Sequence, residues 1–501
     1  MRSILALLAL VVALGTGHAR AASADAATRL DAYYSGLAAK GRLNGAVLVA
    51  EDGKVVYAKA FGYADFETRR LNDLDTEFEI ASVSKTFTAT AVLQLVERGR
   101  IDLAAPLSRY LPDFPYPDVT VRQLLSHSSG LADKDLEAAM AAYEKAIAPR
   151  PMGQTDLIPA LKAGKVAFKL KPGQNWWYAN IGYHLLARLV ETVSGQTFDA
   201  YIRDHIARPA RLTHTYVVSA GSPSKTGHMA GNFDYAPRYA AVRTRIEGDT
   251  SNVMGSSGVV TTVGDLLKFD QALRGGRLLK AKTQEQAYTP DRLADGQPVS
   301  VWLDIGGMGP AEDGLGWFIF KDRGHGKVVW HTGGMPGCAT IFLRALDTKR
   351  TVVVLDNTNS EGLYKAGLSA LRILAGEPPL DAPLNLARIY ARTLTGQGPD
   401  AAFAKLAALR DDTAHYVLRE DDINNLAYAM LEDGQLAQAL EAFRINAALF
   451  PASDNVYNSY AEALEKAGRR DDAIALHRKA VTLNPDNQDS RAALVRLSGK
   501  P

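Results

Sequence analysis

The chain has 501 residues, more than one hydrophobic core usually supports, so two domains are the starting expectation. Its 57 basic and 55 acidic residues leave a formal net charge of +2, and no basic tract accompanies clustered aromatics, which excludes the electrostatic footprint of a nucleic-acid binder. The one cysteine, Cys338, has no intrachain partner, so no disulfide shapes the fold.

The chain opens with Arg2, an apolar run from Ile4 to Leu14 and then small residues. Such a run is short for a bilayer, and Ala19-Arg20-Ala21 fits a small-x-small cleavage site. The expectation is a secretory signal peptide over residues 1–21. The mature chain would start near Ala22, carry no membrane span and reside in a bacterial periplasm or outside the cell.

From Gly45, the runs GAVLVAE and KVVYAKAFG flank Asp52-Gly53, a strong hairpin signal. Near residue 330 β-rich runs return as KVVWHTGG, ATIFLRALD and TVVVLDN, the last two joined by Thr348-Lys349. Five runs from distant segments predict one antiparallel sheet. Helical patterns between them, at Ser82 to Arg98, Tyr183 to Val193 and Asp265 to Leu273, make the class α+β. Thr262 and Asp265 open the last helix as a capping box, and Gly275-Gly276 end it.

A further helix from about Glu361 to Ala375 precedes GEPPLDAP, whose prolines read as a linker. Beyond it NNLAYAMLEDGQLAQALEAFRINAALFP lines up with NSYAEALEKAGRRDDAIALHRKAVTLNP. Gly434 matches Gly468, Ala439 matches Ala473 and Pro451 matches Pro485, each at an offset of 34. That is the tetratricopeptide period, and helices between about Ala387 and Leu409 would complete or cap the stack. The expected organisation is a signal peptide (1–21), an α+β domain (22–376), a Pro-rich linker (377–386) and a small α-helical repeat domain (387–501). The concave face of the last is a candidate site for a protein or peptide partner.

Three short segments carry candidate chemistry. Ser82 and Lys85, three apart at a helix start, put a hydroxyl and an amine on one face of one turn. A serine hydroxyl is a weak nucleophile until a neighbour takes its proton, which a lysine of depressed pKa can do. The helix start adds backbone N–H groups that favour negative charge on a substrate oxygen. A second Ser-x-x-Lys, Ser222 with Lys225, contains Pro223 and is flanked by glycines, so it reads as a loop.

Tyr178 and Asn180 follow a Pro-Gly turn and precede a helix. A nearby cation would lower the pKa of Tyr178 and make it a general base, although alone such a tyrosine more often packs. His331, Thr332 and Gly333 end an apolar strand, and the glycines let a substrate lie against its edge. The N–H of Gly334 would then pair with that of Ser82 as an oxyanion hole. A lone strand histidine is more often a core residue. His127, in LLSHSSGL, reads as loop packing, and Cys338 as a small buried hydrophobe. No His/Cys/carboxylate spacing suits a metal and no Gly-rich loop suits a nucleotide, so no cofactor is expected.

Ser-x-x-Lys on a helix, Tyr-x-Asn on a loop and Lys/His-Thr-Gly on a strand, in this order, resemble the three signatures of the serine penicillin-recognising enzymes. The chain looks like the group that holds class C β-lactamases, D-alanyl-D-alanine carboxypeptidases of that fold, and related esterases and D-aminopeptidases. The phrases TEFEIASVSK, TVRQLLSHSSGL, PGQNWWYANIGYHLLARLVE, GSSGVVTTVGDLLKF and GLGWF extend the likeness over roughly residues 27 to 375. The resemblance implies a β-lactamase/penicillin-binding-protein-like fold, an antiparallel sheet flanked by helices plus an all-helical region.

It also implies Ser82 as the acylated nucleophile and Lys85 with Tyr178 as one proton-handling unit whose acylation base is unassigned. Asn180 would orient the substrate amide, while His331, Thr332 and Gly333 would contact its anionic or polar end. Histidine where β-lactamases of the group usually carry lysine weakens the antibiotic-hydrolase reading and implies pH sensitivity near neutrality. Lys225-Thr226-Gly227 lacks a preceding strand and reads as a decoy. The expected activity is hydrolysis of a small-molecule or peptide substrate through an acyl-enzyme on Ser82, first a D-amino-acid peptide of peptidoglycan type. A small-ester hydrolase or a β-lactamase is the enzymatic alternative, and a cell-wall-sensing or scaffold protein the non-enzymatic one.

Overall fold

The computed structural model describes residues 25–164, 168–218, 226–246, 253–320, 324–380 and 382–498. The expected signal peptide and the pair Ser222 and Lys225 lie outside these residues. Asp52 and Gly53 both take left-handed backbone, φ 49° and 74°, as a two-residue hairpin requires. They join β1 (Gly45–Glu51) to β2 (Lys54–Phe61).

Six further strands complete an antiparallel sheet: β3 (Ser300–Val301), β4 (Ala311–Asp313), β5 (Phe318–Phe320), β6 (Val328–Met335), β7 (Cys338–Ala345) and β8 (Arg350–Asp356). Their order is β3-β4-β5-β6-β7-β8-β1-β2. The five runs read from the sequence are the β6-to-β2 part, closed where β8 pairs with β1. The short β3, β4 and β5 widen the sheet on the β6 side.

Alternation along the strands gives the sheet two apolar faces. Leu48, Val329, Phe342 and Val353 pack with α2 (Ser84–Glu97), α4 (Asn180–Ser194) and α5 (Val263–Arg274). The intervening Val47, Trp330, Ile341 and Val354 pack with α1 (25–39) and α6 (Leu363–Leu374). A further helix of this unit, α3 (Asp133–Ile147), follows the SSGL turn. Thr262 caps α5 by accepting from the Asp265 N–H at 3.1 Å.

Packing divides the chain into two units, residues up to 233 with 245–380, and residues 234–244 with 381 onward. The second unit holds α7 (Leu386–Gln397), α8 (Pro399–Leu409), α9 (Glu420–Glu432), α10 (Leu436–Leu449), α11 (Asp454–Lys466), α12 (Arg470–Leu483) and α13 (Gln488–Ser498). Gly434 and Gly468 end α9 and α11 in left-handed backbone, and Ala439 and Ala473 are fully buried where the next helix crosses.

The expected boundaries leave segment 234–244 with the first unit, whereas its aromatics find partners in the second. Tyr239 is buried among Leu386, Tyr390 and Leu394, and Thr395 Oγ1 donates to its carbonyl at 2.7 Å. The Arg392 guanidinium lies 3.6 Å from the Tyr235 ring centre. Among the described residues no helix is long and apolar enough to cross a membrane.

Candidate active site

Ser82 sits in a 3-10 turn, Ala81–Val83, that leads into α2. Ala81 has φ 44°, a left-handed conformation that costs a non-glycine residue about 1–3 kcal/mol. The surroundings over-determine it. Thr340 Oγ1 donates to Ile80 O at 2.9 Å, Cys338 Sγ donates to Glu79 O at 3.2 Å, and Ile80 N donates to Val259 O at 3.1 Å. A Cβ on Gly333 would come within 2.2 Å of Ile80 O, so only glycine lets β6 lie against this turn. The strand that carries His331-Thr332-Gly333 is thereby pressed to the serine.

Lys85 is 0% exposed. Its Nζ donates to Ser82 Oγ at 3.1 Å, Asn180 Oδ1 at 2.8 Å and Ser256 O at 3.0 Å. All three acceptors are neutral, and three donor positions are what an ammonium offers. Burial drives the amine down from its ordinary 10.5 to about 7, with the charge of Asp133 working the other way. Gly255-Ser256-Ser257-Gly258 delivers the carbonyl because Gly255, at φ 116°, packs where a Cβ would meet Tyr183 O at 2.4 Å.

Burial raises the Tyr178 hydroxyl above its ordinary value, outweighing the opposing influence of nearby Ser82. This corrects the expectation of a tyrosine lowered by a nearby cation: Tyr178 holds its proton. Lys85 lies 4.9 Å from its ring centre. Asn180 is the first residue of α4. Its Nδ2 donates to Asp133 Oδ2 at 2.9 Å, so its Oδ1 is left to face Lys85.

Asp133 and His127 are the two neighbours that sequence reasoning missed or under-read. Asp133 also accepts from the N–H groups of Asn180 at 2.8 Å and Ile181 at 3.1 Å, satisfying the start of α4 from a distant segment. His127 stacks on Tyr178 with ring centres 4.3 Å apart and accepts from Ala179 N at 3.1 Å through Nδ1. The LLSHSSGL phrase, whose glycine precedes Asp133 by three residues, was the available signal for both.

His331 and Thr332 are buried in β6. Burial, with the charge of Lys85, lowers His331 to about 3 despite the opposing bond to Thr332 O. The histidine is therefore neutral near pH 7, against the expectation that it titrates there. A carbonyl only accepts, so His331 Nδ1 carries the proton that meets Thr332 O at 2.6 Å, and Nε2 is an acceptor. Gly334 is exposed next along the strand. Thr226 of the decoy triplet instead donates to Glu77 at 2.6 Å.

The family model described as Beta-lactamase matches residues 30–377. The chain belongs to the beta-lactamase family. It is 30% identical over 361 residues to penicillin-binding protein 4* of Bacillus subtilis, covering 70% of this chain and 76% of that one. To esterase EstB of Burkholderia gladioli it is 30% identical over 390 residues, covering 70% and 95%. The solved octameric penicillin-binding protein homologue from Pyrococcus abyssi superposes with a TM-score of 0.60 at 25% identity, covering 70% of this chain and 78% of that one. The beta-lactamase family match ends before α7, so the helices from α7 onward lie outside it.

Proposed function

We propose that this protein is a serine hydrolase that cleaves an amide or ester through an acyl-enzyme on Ser82. The observation that carries the reading is the Lys85 amine, buried among neutral oxygens 3.1 Å from Ser82 Oγ and lowered to about 7. A neutral fraction of this amine takes the Ser82 proton as Oγ bonds to the substrate carbonyl carbon. The oxyanion so formed meets the N–H groups of Ser82 and Gly334. Collapse breaks the bond to the leaving group, which takes a proton from Tyr178 while Lys85 returns the first proton to the tyrosine. Water then attacks the acyl-enzyme, releasing the acid and restoring Ser82.

Within that chemistry, a D-amino-acid peptide of peptidoglycan type is the substrate class that the resemblance of the three motifs implies, and a relative named as a penicillin-binding protein supports it. Small esters are the second reading, favoured by neutral His331, which offers no positive charge to a terminal carboxylate. The esterase relative points the same way. The helix pairs of the second unit would act as tetratricopeptide-like repeats that take a peptide partner, and residues 1–21 would direct export.

Intact-mass spectrometry after mixing the protein with a penicillin or an activated ester tests the central step. A mass increase of one acyl group, absent from Ser82→Ala, is expected. Turnover by Ser82→Ala equal to that of the natural chain would end the Ser82 acyl-enzyme reading, and neither adduct nor turnover on the natural chain would favour the scaffold alternative.

A further inference from the structure

The connection between β3 and β4 meets the second motif in a way that acylation itself does not require. Trp302 follows β3 directly and is 59% exposed, with Leu303 beside it 50% exposed. The indole is nonetheless fixed. Its Nε1 donates to Trp176 O at 3.0 Å, and its ring centre lies 5.9 Å from those of Trp176 and Trp177. Trp176 is buried, donates to Asp313 at 2.8 Å and lies 6.2 Å from Tyr178. The Tyr178 ring centre in turn lies 4.9 Å from the Lys85 amine, which donates to Ser82 Oγ at 3.1 Å. A line of rings thus runs outward from the serine to a held, exposed indole.

The same connection reaches the third motif at its far end. Gly306, at φ 62°, packs so closely on Tyr364 that a Cβ would come within 2.3 Å of the ring. The Tyr364 hydroxyl donates to Gly333 O at 2.8 Å. Residues 302–306 therefore link the segment that carries Tyr178 to the strand that carries His331. A large ring kept in water but immobilised by a hydrogen bond is pre-organised for a flat apolar partner, since little side-chain freedom remains to be lost.

We propose that Trp302, with Trp177 beside it, forms an aromatic shelf that binds a flat apolar group of the ester or amide whose carbonyl Ser82 attacks. The proposal rests on Ser82 being the nucleophile and adds a preference for aryl-bearing, uncharged substrates.

The test uses two fluorophosphonates that differ only in an aryl or an alkyl substituent, with labelling of the full chain followed by mass spectrometry. In each, Ser82 Oγ bonds to phosphorus, fluoride leaves with the bonding pair, and the serine proton passes to Lys85. The aryl probe should label Ser82 faster. Trp302→Ala should lower the aryl rate relative to the alkyl rate by about threefold to tenfold, the range of one aromatic contact. Trp302→Phe should retain the aryl preference. Equal rates for the two probes on the natural chain, a preference that survives Trp302→Ala, or an equal loss for both probes overturns the shelf alone. Failure of both probes to label Ser82 overturns the hydrolase reading and the shelf with it.

Discussion

Lys85 and Arg344 are both fully buried cations of the first unit, and they differ in what surrounds the charge. Arg344 Nε donates to Asp270 at 2.5 Å, and the same carboxylate accepts from Arg274 at 2.9 Å and Thr351 at 2.5 Å. Burial works to raise Asp270, yet the two guanidinium charges hold it below its ordinary value. Lys85 touches an amide, a hydroxyl and a carbonyl, with its nearest acid, Asp133, one group removed behind Asn180. A carboxylate in contact locks a buried charge; neutral acceptors leave it poised to be lost. The first arrangement braces a sheet, and the second suits proton transfer.

Four substitutions break or sharpen that contrast. Lys85→Met should lower the rate of Ser82 acylation by about 10²–10⁴-fold, the span of a general base, while raising the thermal midpoint. The folded amine titrates near 7 and the unfolded one near 10.5. The unfolded chain therefore binds the extra proton between these values, and the stability cost is full below pH 7 and fades towards 10.5. Calorimetry should show the gain of Lys85→Met largest at acid pH and vanishing in alkali, with each kcal/mol worth about 2–4 °C.

Asp270→Ala should act on stability instead, costing about 3–5 kcal/mol in denaturant melts because two guanidinium groups lose their acceptor. Labelling of Ser82 in the protein that remains folded should be unchanged. Asn180→Asp makes the Lys85 site resemble that of Arg344. It should lock the ammonium, cut labelling at pH 7 by about tenfold or more and move the profile to higher pH. Asp133→Asn removes the distant charge that raises Lys85, so the profile should move the other way, by less than about one unit.

These partners differ in how readable they are. Ser82 and Lys85 were legible because a three-residue offset on a helix is local geometry. The β6-to-β2 part of the sheet was legible because its runs are seven or eight residues long and end at turn residues. β3, β4 and β5 have two or three residues each, too few to show alternation. The directions at Tyr178 and His331 were misjudged for one reason: proximity to a cation follows from motif order, whereas burial depends on loops far along the chain. Asp133 was missed because its partners, Asn180 and Ile181, lie 47 and 48 residues away, and only its place after the LLSHSSGL phrase pointed to it.

The most direct measurement is the rate of Ser82 labelling by a fluorophosphonate as a function of pH, followed by intact mass on the natural chain and on Asn180→Asp. The account predicts a rate that rises with pH through a midpoint near 7 on the natural chain, and a midpoint displaced upward in the variant. A rate independent of pH between about 5 and 9, or the same midpoint in both proteins, would contradict the claim that a neutral Lys85 activates Ser82.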